Sequence, residues 1–302
     1  MDDDDFVKSV LKEPVDLLSP EGGGDQSAVN FSTKVQEDKF LGGGGGDRKE
    51  SGTPTDIKPL YRGLWADKIK DGDEIHVGGS IFSDDLDVFL EVDTSWMSDK
   101  IKTFTRERID EVYDSTNREI FTDWLEKHGI KIDPKLFNDL LHVQMKMKAL
   151  LAVNDEPVAN KRKDHYLSNR RAKLSDFIGQ SECGEQAVVG KLLLDRIGVE
   201  SSLMNGVHVD NKNDYPIDHS FLILDDPQGE GSLIFDIARP KASIDGFPRI
   251  LRTDKKLSHS TFEGKNNYVV PAKDIYNGTT IYYGVGHSSL IQDVNFADQP
   301  KT

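Results

Sequence analysis

Cysteine is almost absent from this chain: one residue, Cys183, stands among 302. A single thiol excludes an internal disulfide framework and any zinc site built on cysteines, and it fits a reducing, cytosolic compartment. Long apolar runs are missing too. No stretch approaches the ~18 residues of a membrane-spanning helix, so no membrane span is expected. The opening Met1-Asp2-Asp3-Asp4-Asp5 has neither the basic flank nor the apolar centre of a secretory signal. Export would need a route independent of such a signal. Positive charge is short as well: 38 Lys and Arg against 53 Asp and Glu leave a formal net charge of -15. A phosphate backbone would be repelled by that balance, which excludes nucleic acid as a general partner.

Aromatic and large aliphatic residues are sparse over the first 55 positions, where an aspartate run, Gly22 to Gly24 and Gly42 to Gly46 stand instead. Such a stretch cannot bury enough apolar surface to offset its conformational entropy, so 1–55 reads as a disordered acidic, glycine-rich segment. Phe6, Val7, Val10 and Leu11 could form one amphipathic turn that docks a chaperone or secretion factor; the alternative is a plain solvated tail. The five consecutive glycines lack the Gly-Lys-Ser/Thr ending of a phosphate loop and read as linker.

Ordered structure is expected from about Ile57. Glu74 to Val77 and Asp87 to Val92 pattern as strands. Ser98 to Lys127 reads as one long helix with Ser98 at its N-cap and Gly129 as its stop, and Pro134 to Val153 as a second helix with proline in its first turn. These elements make 56–160 a helical N-terminal subregion and leave 161–302 as the remaining unit. At their junction Lys161 to Lys173 is the one basic cluster in an acidic chain, either a solvated face or a positive rim for an acidic target. After Pro240 the pattern is irregular until Thr279 to Gly284, a further strand. His259 and His287 have no recognisable partners in the sequence.

The chemistry gathers around the lone thiol. Cys183 sits in Gln180-Ser181-Glu182-Cys183-Gly184-Glu185-Gln186-Ala187, and Val188, Leu192, Leu193 and Ile197 follow at helical spacing before Gly198. The sulfur is therefore placed in the first turn of a helix, where unpaired N–H groups and the helix dipole favour a thiolate. Downstream, His219 opens the strand-like run to Leu224, and Asp236 closes Leu233-Ile234-Phe235. Asp225 to Gly231 reads as the turn between two antiparallel strands, which would set His219 beside Asp236. Nucleophile, base and orienting carboxylate thus occur in the order Cys183, His219, Asp236. Each residue also has a plainer reading: a buried thiol, an ordinary histidine, an aspartate at a strand end.

From about Leu174 to Pro240 this order resembles the transglutaminase-like branch of the papain-like cysteine enzymes, and Met204-Asn205-Gly206-Val207 is similar to the strand that follows the nucleophile helix there. The run before the cysteine departs from acetyltransferases, which show Arg-Gly-Gly, and from vertebrate-type transglutaminases, which show Gln-Cys-Trp. It is more similar to divergent bacterial effector members. The resemblance implies an α+β fold: a papain-like core over 161–302, with a nucleophile helix against an antiparallel sheet, preceded by the helical subregion. It implies Cys183, His219 and Asp236 as catalytic residues, Gln180 as a candidate oxyanion donor, and no metal or organic cofactor. It implies acyl transfer on a protein carboxamide, by glutamine deamidation or transamidation, with a host protein as substrate. Two alternatives stay open at this point: a cysteine protease, and a non-catalytic protein-binding module.

Overall fold

Among the described residues, eight strands belong to one sheet, and its ends meet. The computed structural model describes residues 64–76, 89–153, 171–212, 214, 216–238, 247–265, 267–286 and 294–297. The acidic first segment, its glycine runs, the greater part of the basic cluster and His287 lie outside these residues.

The strands are β1 (Leu64–Ala66), β2 (Glu74–His76), β3 (Phe89–Glu91), β4 (Arg171–Lys173), β5 (Ser202–Val209), β6 (Ile217–Asp225), β7 (Ser232–Asp236), β8 (Arg249–Thr253), β9 (Tyr268–Asp274), β10 (Thr280–Val285) and β11 (Asn295–Phe296). The hairpin expected from the sequence is present: β6 and β7 pair antiparallel, with Leu222 opposite Phe235 and Leu224 opposite Leu233. Neighbours then run β7–β8, β8–β9, β9–β10 and β10–β5, and β5 pairs in turn with β6. Every one of these pairings is antiparallel, so β5 to β10 form a closed six-stranded barrel. β1 and β11 are added at the outside, and β2, β3 and β4 make a separate small sheet.

This corrects the expected fold class. The core is not the papain-like α+β arrangement of a nucleophile helix against an antiparallel sheet; it is a barrel, with five α-helices among the described residues. The physical reason lies in β8 and β9, which occupy the stretch whose pattern is irregular in the sequence. β8 reads Arg-Ile-Leu-Arg-Thr, and β9 carries Pro271 in its interior. Proline removes a ladder donor and argues against a central strand. Here it is tolerated because the β8–β9 ladder spans only Leu251–Asp274 and Arg252–Lys273, and Pro271 lies beyond it.

Alternation along the strands separates two apolar layers. Met204, Phe221, Ile223, Ile234, Leu251, Val270, Ala272, Ile281, Tyr283 and Val285 form one cluster drawn from all six barrel strands, which is the filled lumen. Leu203, Leu222, Leu224, Leu233 and Phe235 point outward and join the helices in a larger cluster. That outer layer receives α1 (Arg106–Val112), α2 (Arg118–Lys127), α3 (Pro134–Leu151) and α4 (Cys183–Arg196); α5 (His259–Phe262) is a single turn. α4 packs on β5 and β6 and also meets α3.

The long helix expected over 98–127 begins later, at Arg106, because Thr105 rather than Ser98 caps it: the Thr105 hydroxyl accepts the Arg108 N–H at 3.3 Å. Its course is interrupted by a π-helical turn at Tyr113–Asn117. α3 matches its expected start, with Asp133 accepting the Leu136 N–H at 2.8 Å and Pro134 at the first position. An ion pair ties these helices to the end of α4. Arg106 bonds both carboxylate oxygens of Asp139 at 2.9 Å and donates its Nε–H to the Ile197 carbonyl at 2.7 Å.

Candidate active site

The nucleophile candidate owes its position to a capping pair. Glu182 is the N-cap of α4, and its own N–H is accepted by Glu185 Oε2 at 2.9 Å. This is the N3-to-N-cap contact of a capping box. It occupies the N–H of Glu182, and helix geometry leaves those of Cys183 and Gly184 without an intrahelical acceptor. The Gln186 side chain donates to the Ser181 carbonyl at 3.1 Å and fixes the approach to the helix. Cys183 is the first helical residue, is a free thiol, and is partly exposed.

His219 and Asp236 meet across the β6–β7 hairpin. His219 Nε2 lies 2.7 Å from Asp236 Oδ1, with the imidazole 5% and the aspartate 0% exposed. His219 shares the inward face of β6 with Phe221 and Ile223, and Asp236 shares that of β7 with Ile234. Both therefore sit at one end of the lumen. Cys183 lies close enough to the imidazole to act on its charge. Because Nε2 is taken by Asp236, Nδ1 is the ring nitrogen left for other partners. Cys183, His219 and Asp236, named from sequence order, are thus brought together at one end of the barrel.

The charges of the His219–Asp236 pair follow from its burial. Desolvation works against a charged imidazole, but the Asp236 carboxylate overcomes it by charge and by hydrogen bonding, with Cys183 adding to the effect. The His219 pKa is raised to about 9. For Asp236 burial pushes the other way, toward the protonated acid. The His219 charge and hydrogen bond, then the Tyr283 hydroxyl and the His208 charge, hold its pKa down to about 2. At neutral pH the pair is imidazolium and carboxylate.

Two residues not named from the sequence complete the site. Tyr283 on β10 donates its hydroxyl to Asp236 Oδ2 at 2.7 Å, so both carboxylate oxygens are engaged. His208 on β5 is fully buried, its ring edge-on to that of His219 with centroids 4.8 Å apart. Neither belongs to a spaced motif. Each sits at an alternating position of an apolar strand, and the only signal they offered was a polar ring on an inward face. Gln180 is placed differently from its expected use: it donates its side-chain amide to the Asp176 carbonyl at 2.6 Å. Its neighbour Ser181 has a buried hydroxyl with no hydrogen-bond partner and stands closer in the chain to the thiol.

Of the basic cluster, Arg171 pairs with Glu74 at 2.8 Å and Lys173 approaches Glu91 at 4.0 Å, which ties β4 to its own small sheet. His259 lies 4.0 Å from Glu263 on the surface. Among the described residues, no three His, Cys, Asp or Glu side chains converge as a metal site. No helix among them is long and apolar enough to cross a membrane.

No family model, curated protein or solved structure matches this chain. Nothing in these comparisons links it to the transglutaminase-like superfamily.

Proposed function

We propose that this protein is a cysteine-dependent acyl-transfer enzyme acting on protein carboxamides, by glutamine deamidation or transamidation, with Cys183 as nucleophile, His219 as acid and base, and Asp236 as the orienting carboxylate. The observation that carries this reading is the buried His219–Asp236 pair, 2.7 Å apart, with the Cys183 thiol near enough to act on the imidazole charge. The resemblance to transglutaminase-like enzymes enters only through the types and order of these residues.

In the reaction the Cys183 thiolate, its proton already on His219, attacks the carboxamide carbon, and the carbonyl oxygen becomes an oxyanion facing the N–H groups of Cys183 and Gly184. The His219 imidazolium gives its proton to the departing nitrogen, the C–N bond breaks, and ammonia leaves behind a thioester. Neutral His219 then takes a proton from water or from an acceptor amine. The new nucleophile attacks the thioester and the Cys183 thiolate departs. Asp236 balances the imidazolium charge throughout. A glutamine side chain suits this centre because it carries its carboxamide at the end of a thin, two-methylene stem. His219, Asp236 and Gly184 are buried, and Cys183 is partly exposed.

The test is a proteome incubated with the wild type or with Cys183→Ala, with and without an added primary amine, and read by mass spectrometry. The expected result is uncut proteins in which glutamine has become glutamate, or the amine adduct where amine is supplied, only with the wild type. New chain termini would instead establish a protease. Identical proteomes from the two variants would overturn the enzymatic reading and leave the protein-binding module.

A further inference from the structure

Asp236 has one carboxylate oxygen that His219 does not touch. A buried carboxylate with one free oxygen would hold all its charge against the imidazolium, in a setting where charge–charge attraction is strong. Such a histidine would be a poor acid, because the proton it must give to the leaving nitrogen would be held too tightly. In this barrel the second oxygen is not free. Tyr283 reaches it from β10 at 2.7 Å, and the phenol is itself fully buried, with its ring edge-on to Phe221 at a 4.9 Å centroid separation. The barrel's closure makes this contact possible: β10 is bonded to β5, and Tyr283 lies opposite His208 in that ladder, so the side chain crosses the lumen to β7.

We propose that the Tyr283 hydroxyl, by hydrogen-bonding the Asp236 oxygen that His219 leaves unused, draws off carboxylate charge and so keeps the His219 proton transferable. Tyr283 is then a positioning residue, acting through Asp236, and this inference rests on the reading of Cys183, His219 and Asp236 as a reacting triad. The other titratable groups around the pair are accounted for. Cys183 on α4 acts on the imidazole charge, and His208 on β5 lies edge-on to the ring. Arg249 on β8, whose Cα faces that of Asp236, has its Nε 3.9 Å from Asp274. Of these groups, only Tyr283 donates to Asp236 Oδ2.

The experiment is the pH dependence of the rate of Cys183 alkylation by iodoacetamide in the full chain, for the wild type and Tyr283→Phe. Phenylalanine keeps the ring and removes only the donor. In the wild type a change in rate near pH 9 marks loss of the imidazolium proton, in line with the raised His219 pKa. In Tyr283→Phe that step moves upward by about one pH unit, the scale of one hydrogen bond to a charged group. A step that stays in place, or moves down, overturns the proposal. Should the variant fail to fold, 3-fluorotyrosine placed at position 283 is a stronger donor with the same heavy-atom frame, and the step should then move down. An unmoved or raised step with that residue overturns the proposal equally. A wild type with no step at all contradicts the triad itself, so the two failures are distinguishable.

Discussion

His219 and Asp236 form a pair whose two pKa values are displaced in opposite directions, and the consequence for stability can be worked through sign by sign. His219 is raised from 6.5 to about 9, so its contribution is fully present below 6.5 and is lost as pH rises through about 9. Asp236 is lowered from 3.8 to about 2, so its contribution is present above 3.8 and is lost as pH falls through about 2. The pair therefore stabilises the fold most between about pH 4 and pH 6.5. Urea midpoints of the wild type and Asp236→Asn should differ most in that window and converge toward alkaline pH. A difference that stays constant from pH 5 to beyond pH 9 would show that the imidazolium–carboxylate pair is not formed. The placing of Cys183 at a helix start and the pairing of His219 with Asp236 were legible in the sequence because each residue lies near an element boundary. Tyr283 and His208 were not, because an inward polar ring becomes visible only once the strands that share the lumen are known.

α4 was legible as an element for local reasons. Its apolar spacing, its acidic first turn and Gly198 beyond its end, at φ +72°, all belong to the sequence around it. The Glu182–Glu185 box contact secures the start of this helix, whose geometry leaves the Cys183 and Gly184 N–H groups without an intrahelical acceptor. Glu185→Ala should cost about 1 kcal/mol and lower the melting temperature by a few degrees, whereas Glu185→Gln, which keeps the acceptor, should cost less. Equal melting temperatures for wild type and Glu185→Ala would remove the box from the account of how the thiol is held. Helix boundaries were less legible where two caps competed. Ser98 and Thr105 are both hydroxyl residues ahead of an apolar periodic run, and only tertiary placement decides that Thr105 takes the Arg108 N–H. The Gln180 expectation failed for a related reason: a three-residue separation says nothing of where an amide points, and a local carbonyl took it.

The whole molecule is where sequence reading went furthest astray. The β6–β7 hairpin follows from its own alternation, but closure depends on β8 and β9, whose charged ends and interior proline hide them. Without them the hairpin looks like part of a sheet covered by a helix; with them it is one wall of a barrel whose lumen holds His219 and Asp236. Closure also demands close backbone approach. A Cβ at Gly206, the residue across from His219, would stand 2.1 Å from the Gly284 carbonyl oxygen, which is backbone and cannot swing aside. Gly206→Ala should therefore destabilise by about 1–3 kcal/mol, the range of overpacked sites, and lower the melting temperature accordingly. An unchanged melting temperature would mean that β5 and β10 are not held this tightly.

The account stands or falls on whether Cys183 and His219 form one ionising unit, and alkylation of Cys183 as a function of pH tests this without a substrate. Intact-mass spectrometry after brief iodoacetamide treatment gives the rate for wild type and His219→Ala. The wild type should alkylate faster than His219→Ala at neutral pH, because the variant lacks the neighbouring imidazolium charge that favours a thiolate. Superimposable profiles would contradict the coupling of thiol and imidazole, and with it the proposed chemistry.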